Sequence, residues 1–226
     1  MALEKVWEIA EVKNSRIILA LDFLNPRFSI EKFVSEVADL VAGVKIGLPF
    51  LLKYGNKAIK ELVKEYSDDM YLLADFKLAD IPSVVKDELR RISELGFDGA
   101  ITHLFQGGLY RVREITCPID LIGVLYMSHP DAYLFEKNIE CLLEEAIKGK
   151  VDGVVVGARQ SKVIKLAKQR LDGVTVFSPG IGIQGGGYGE AIRNGADFEI
   201  IGRAISLSDN PREVVLRILE GERRWI

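Results

Sequence analysis

MYLLADFKLADIPSV occupies residues 70–84, and its two halves read differently. Met70, Tyr71, Leu72, Leu73 and Ala74 form the kind of apolar run that a parallel strand shows when both its faces are buried. Charge then arrives at once, as Asp75, Lys77 and Asp80, before Ile81 and Pro82 open a helix. Residues two apart on an extended strand point the same way, so Asp75 and Lys77 project together from its C-terminal end. Two carboxylates and an ammonium are costly to place where a buried strand stops. One reading is structural, a salt bridge with Asp80 as helix N-cap. The other is a site at the strand's end.

Working outward, β-rich apolar runs recur every 20 to 30 residues or so. They cover residues 16–22, 43–48, 70–77, 99–103, 121–127, 153–157, 175–179 and 198–202. Helix-period stretches lie between them at 30–41, 56–66, 83–95, 132–147, 161–170, 187–194 and 211–221. The helix after 99–103 is less distinct, because Gly107 and Gly108 sit near its start. The amphipathic opening MALEKVWEIAEV adds a short N-terminal helix. Strand and helix alternate eight times with no linker, which predicts one closed α/β (β/α)8 TIM barrel over residues 1–226. A doubly wound open sheet competes. The first strand, however, ends in Ala20-Leu21-Asp22 without a glycine fingerprint, and the count of eight favours closure.

The totals narrow the function. The 226 residues are 48% apolar and 28% charged, with 30 basic against 33 acidic side chains and a net charge of −3. No basic block marks a nucleic-acid surface. No apolar run reaches the roughly 18 residues a membrane helix needs. Cys117 and Cys141 are far apart and read as free thiols of a cytoplasmic protein.

A barrel of this kind carries its chemistry at the C-terminal ends of its strands. Read that way, the strands deliver Asp22, then Lys45 within VKIG, then Asp75, Lys77 and Asp80. The fourth ends at His103, read as a satisfied strand-end histidine, and the fifth runs into Met127-Ser128-His129-Pro130. Ser128 either reads a polar ring or caps the next helix. The seventh ends at Pro179 and enters GIGIQGGGYG, residues 180–189, and the eighth ends at Gly202-Arg203. Glycines there let backbone N–H groups approach an anion, and Arg203 offers a charged fork to phosphate oxygens. No His, Cys or carboxylate set has metal-ligand spacing.

Asp75-x-Lys77-x-x-Asp80-Ile81-Pro82 resembles the signature of the orotidine 5′-monophosphate decarboxylase family. ALD, VKIG, MSHP, SPGIGIQGG and IIGRAI follow the same order over nearly the whole chain. Lys45 and Ile81-Pro82 separate that branch from the magnesium-dependent barrels of the same suprafamily, and Ser128 resembles the archaeal side. The resemblance implies decarboxylation of orotidine 5′-monophosphate to UMP with neither cofactor nor metal. It also implies the roles: Lys77 stabilises and protonates the C6 carbanion, flanked by Asp75 and Asp80 in a Lys45-Asp75-Lys77-Asp80 array. Asp22 and Lys45 hold ribose and Ser128 reads the ring. Pro179, Gln184, Gly185, Gly202 and Arg203 surround the phosphate. Asp80 and Ile81 are implied to cross into a partner's site in a homodimer. Val84 departs from the family's usual Thr, so a hydroxyl contact there is lost.

Three other functions share the barrel. A metal-dependent sugar-phosphate decarboxylase or aldolase would be stopped by chelator. A Schiff-base aldolase would use Lys77 as nucleophile, but a lysine between aspartates stays charged and attacks poorly. A non-catalytic phosphate-binding barrel leaves the charge array without a task.

Overall fold

The computed structural model describes residues 3–113, 119–129, 131–182 and 185–226. Eight parallel strands close into a barrel in sequence order: β1 (Ile17–Ala20), β2 (Gly43–Gly47), β3 (Tyr71–Leu78), β4 (Gly99–His103), β5 (Asp120–Tyr126), β6 (Gly153–Val156), β7 (Thr175–Pro179) and β8 (Phe198–Ile201). The expected (β/α)8 fold is therefore present, and β8 pairs with β1 to complete the ring.

The helices described are α1 (Glu4–Lys13), α2 (Ile30–Ser35), α3 (Leu48–Tyr66), α4 (Pro82–Glu94), α5 (Leu109–Arg113), α6 (Tyr133–Lys137), α7 (Ile139–Lys148), α8 (Ser161–Arg170), α9 (Glu190–Arg193), α10 (Arg203–Ser206) and α11 (Pro211–Glu222). Several boundaries differ from those the periodicity predicts, each for a local reason. α3 begins directly at the end of β2, where Pro49 suits a first turn, and Gly55 (φ 72, ψ 177) kinks it before the expected helix resumes. The expected helix over 132–147 breaks at Asn138 into α6 and α7. β1 stops at Ala20, leaving Asp22 in the loop beyond it. Two helix-to-strand junctions turn at glycine: Gly96 and Gly195 have φ 93 and 102.

The strands bury side chains on both faces, as their near-continuous apolar runs require. Outward side chains such as Leu19, Ile46 and Leu72 pack under the helices. Inward ones, among them Ile18, Leu73, Ile122, Phe177 and Phe198, fill the barrel. α1 closes the N-terminal mouth by adding Leu3, Val6 and Ala10 to that interior cluster. Trp7 Nε1 also donates to Thr175 Oγ1 at 3.1 Å. At the same end Tyr71 donates its hydroxyl to Asp120 at 2.9 Å. A Cβ on Gly99 would stand 2.1 Å from the Tyr71 oxygen, so this strand start must be glycine. With the N-terminal end plugged, the other mouth is left open for chemistry.

Candidate active site

The open mouth leads into a cavity of about 290 Å³ whose floor is the top apolar layer of the barrel: Ile101, Val124, Val155 and Ile200. Four charged groups stand along one wall in a continuous ladder. Lys45 on β2 is buried, and its ammonium donates to Asp22 Oδ2 at 2.9 Å and to Asp75 Oδ2 at 2.7 Å. Lys77 donates to the other oxygen of Asp75, Oδ1, at 2.7 Å. One carboxylate thus bridges two ammoniums. Of the three, the Lys77 side chain is the open one, at 40% exposure against 6% for Lys45 and 9% for Asp75.

Burial alone would discharge Lys45, but the carboxylates of Asp75 and Asp22 outweigh it and hold the ammonium above its ordinary 10.5. Burial likewise pushes Asp75 toward the neutral form, and Lys45 and Lys77 overcome it, so this carboxylate stays ionised below its ordinary 3.8. His103 is driven neutral, first by burial and then by the Lys77 charge. It lies against Phe105 (ring centroids 4.6 Å apart) and does not line the cavity, but its Nδ1 is buried with no partner among the described residues, so it is not the satisfied histidine expected from the sequence.

Simple strand alternation brings Asp75 and Lys77 together only approximately. The β3–β4 register shifts between Ala74 and Leu78, where Thr102 Oγ1 donates to Leu78 O at 2.9 Å, and Lys77 takes φ +48. A left-handed lysine costs about 1–3 kcal/mol, and here that strain sits on the residue whose ammonium faces the cavity. Two strand-end glycines make further room. A Cβ on Gly47 would lie 2.2 Å from Asp22 Oδ1, and one on Gly157 would lie 2.7 Å from Ser128 Cα.

The opposite rim gathers Ser128, Pro179, Gly202 and Arg203, all lining the same cavity. Ser128 caps no helix, since α6 starts from Ala132. Gly180 (φ 101) turns the chain out of β7, and Gly182 N donates to Gly186 O at 2.8 Å, folding the loop back on itself. Gly185 is exposed and does not line the cavity. Gln184 lies outside the described residues, as do Pro130 and Cys117.

Two expected members are absent from this chain's own site. Asp80 is exposed, and its carboxylate accepts from Ile81 N at 2.6 Å. Ile81, 62% exposed, is the N-cap of α4, so Asp80 does not cap that helix. Within one chain the ladder therefore ends at Asp22 on the far side of Lys45, and the expected fourth charge, Asp80, stands apart. The cavity also holds residues that sequence reading passed over, notably Phe23, Ile181 and Ser206. Their signal was position alone, each lying just beyond a strand end.

A parallel eight-stranded barrel with a charge ladder on one wall of its open mouth and a glycine–arginine rim on the other has the architecture of a (β/α)8 enzyme. The chain belongs to the orotidine 5′-phosphate decarboxylase / HUMPS family, whose model matches residues 15–218. The orotidine 5′-phosphate decarboxylases of Thermococcus kodakarensis and Methanococcoides burtonii are 35% and 34% identical to it over 214 residues, 92% of this chain and 97% of each of theirs. The crystal structure of the Metallosphaera sedula decarboxylase matches with TM-score 0.83 at 31% identity, covering 94% of this chain and 100% of that one. That of the Methanocaldococcus jannaschii enzyme, complexed with the inhibitor BMP, matches with TM-score 0.81 at 32% identity, covering 92% and 98%.

Proposed function

We propose that this chain converts orotidine 5′-monophosphate to UMP and CO2 with no cofactor, and that Lys77 is the group on which the reaction turns. The observation that carries this reading is the ladder Asp22–Lys45–Asp75–Lys77, with its one accessible ammonium facing the cavity. Breaking the bond from C6 to the carboxylate releases CO2 and leaves the electron pair on C6, in an orbital that the pyrimidine ring cannot delocalise. A fixed positive charge at that point stabilises the anion, and the same ammonium supplies the proton that becomes the C6 hydrogen of UMP. Lys77 then recovers its proton from solvent. Asp75 holds the Lys77 ammonium in place at 2.7 Å and stands where the departing carboxylate would crowd it, a stress relieved as CO2 leaves.

The remaining residues hold the nucleotide. Asp22, whose Oδ1 is buried with no protein donor among the described residues, and Lys45 suit the ribose hydroxyls. Ser128 reads the pyrimidine edge. Pro179, Gln184, Gly185, Gly202 and Arg203 enclose the 5′-phosphate, whose binding energy is used to position C6. A metal-dependent route has less support, because the place between Asp22 and Asp75 that a cation would take is filled by the Lys45 ammonium.

The reading extends to a homodimer in which Asp80 and Ile81 complete the partner's site, and the exposure of both residues at the start of α4 supports it. One barrel domain over residues 1–226, working in the cytoplasm, completes the proposal; no helix among the described residues is long and apolar enough to cross a membrane. The test of the reaction is loss of orotidine 5′-monophosphate absorbance with purified protein in EDTA. Turnover unaffected by chelator supports it, and no turnover, or turnover restored only by magnesium, refutes it. The dimer is tested by mixing Asp80→Ala and Lys77→Ala chains, which should regain one working site per heterodimer; no recovery counts against the shared site.

A further inference from the structure

β8 carries a buried acid that the reaction does not use. Alternation turns Phe198 and Ile200 into the barrel and leaves Glu199 on the helix side, fully buried. Its Oε2 accepts from Gly189 N and its Oε1 from Ala191 N, both at 3.0 Å. Gly189 is the last residue of the glycine-rich loop that leaves β7 for the anion rim. At φ +76 it is wedged so tightly that a Cβ there would meet Gly221 O at 2.9 Å and Trp225 at 3.1 Å. Three residues beyond Glu199, just past the end of β8, is Gly202, and Arg203 then opens α10. One carboxylate therefore ties the downstream end of the loop to the strand that leads into the arginine.

A second buried acid lies behind the first. Glu222, near the end of α11, is fully buried; one of its oxygens accepts from Arg16 N at 3.2 Å and the other, Oε1, has no partner among the described residues. We propose that Glu199 is a positioning residue for the phosphate loop, and that the protonation state of the buried Glu222 behind it sets how firmly that loop is anchored. The inference rests on the reading of residues 180–189 and Arg203 as the phosphate site.

The surroundings favour a proton on Glu222. Burial, reinforced by the charge of Glu199, pushes Glu222 up to about 8, against the opposing pull of Arg16 and Arg223. Burial also raises Glu199; the N–H groups of Gly189, Ala191 and Ile192 oppose that, and Glu190 on α9 adds to it. Arg16 does not cancel the pair. Its guanidinium lies over the Trp7 ring at 4.3 Å, and its charge is divided among Asp197, Glu11 and Glu222. Near neutral pH Glu222 holds its proton, and the two Glu199 oxygens, each accepting a backbone N–H, hold the loop. Above pH 8 Glu222 ionises, and its charge beside Glu199 loosens the junction between α11 and Gly189.

The test compares UMP with uridine. The ratio of their calorimetric dissociation constants, uridine over UMP, isolates the phosphate, because every other contact is common to the two ligands. A phosphate monoester is dianionic throughout the range pH 7 to 9. In the wild type the ratio is expected to fall about fivefold between pH 7 and 9, a common size for coupling between sites. In Glu222→Gln it should hold its pH 7 value up to pH 9. In Glu199→Gln, where an amide NH2 faces a backbone N–H, it should be about tenfold lower at every pH. A purely structural role would weaken both ligands together and leave the ratio flat. A flat ratio in the wild type, or the same fall in Glu222→Gln, overturns the inference even if Glu199→Gln does not fold. UMP binding with a flat ratio removes this inference alone, whereas no UMP binding at any pH removes the phosphate-site reading as well.

Discussion

Replacing Asp75 by alanine leaves Lys45 a buried ammonium with one partner in place of two. In the wild type that ammonium is 6% exposed and bonded to Asp75 at 2.7 Å and Asp22 at 2.9 Å. Removing one partner of a buried ion pair costs roughly 3–5 kcal/mol, because the remaining charge has no replacement for its lost solvation. Asp22 remains, and its side chain is 25% exposed, so the lower end applies: about 3 kcal/mol. For a domain of this size that is a fall in Tm of roughly 6–12 °C. Adding Lys45→Met to Asp75→Ala removes the stranded charge and should recover part of the loss, giving a coupling energy of about 1–3 kcal/mol in a double-mutant cycle.

The pH dependence follows from the same ladder. Asp75 is held below its ordinary 3.8, so its contribution is complete above that value and lost as pH falls through the folded pKa. Lys45 is held above its ordinary 10.5, so its contribution is complete below that value and lost as pH rises through the folded pKa. The gap between wild type and Asp75→Ala should be level across neutral pH and shrink in acid. Thermal melts of the single and double variants from pH 3 to 9 measure it. An Asp75→Ala melt within 2 °C or so of wild type at pH 7, or a gap that widens in acid, refutes the reasoning.

Gly47→Ala places a methyl 2.2 Å from Asp22 Oδ1, and because Asp22 is a flexible side-chain end it moves aside. KM for the nucleotide should rise by about tenfold with Tm nearly unchanged, measured by steady-state kinetics beside a melt. Arg203→Ala removes a charge-assisted contact and should raise KM by about 10–100-fold, while a phosphate-free substrate is handled as by wild type. Tyr71→Phe breaks the 2.9 Å bond to Asp120 at the plugged end of the barrel. It should cost about 1–2 kcal/mol in denaturant titration and leave kcat untouched.

The barrel was legible because its signal is repetitive: eight apolar runs separated by helix-period stretches leave little choice once counted. Lys45, Asp75, Lys77 and Arg203 were legible for a related reason, since charge at the end of a buried strand is conspicuous. Distances were not. Alternation put Asp75 beside Lys77, but the register shift and the φ of +48 that bring them together have no local sequence mark. Asp80 is expected as the fourth charge only from the resemblance, which places it in a partner's site; within one chain the ladder ends at Asp22, 23 residues before Lys45, across a strand pairing. The cavity floor of Ile101, Val124, Val155 and Ile200 reads as ordinary core, because inward apolar side chains look alike whether covered or not. Glu199 and Glu222 were invisible for the opposite reason: a glutamate in a strand or helix reads as surface until its burial is known.

The most direct measurement is single-turnover decarboxylation of orotidine 5′-monophosphate by Lys77→Ala beside wild type, with nucleotide affinity and Tm recorded for both. Lys77 is the open end of the ladder, so its loss leaves Lys45 paired with Asp22 and Asp75 and the fold intact. The account predicts a rate lower by about 10⁴-fold or more, since charge stabilisation and proton delivery disappear together. Lys77→Ala turning over within about tenfold of wild type, with unchanged affinity, would contradict it.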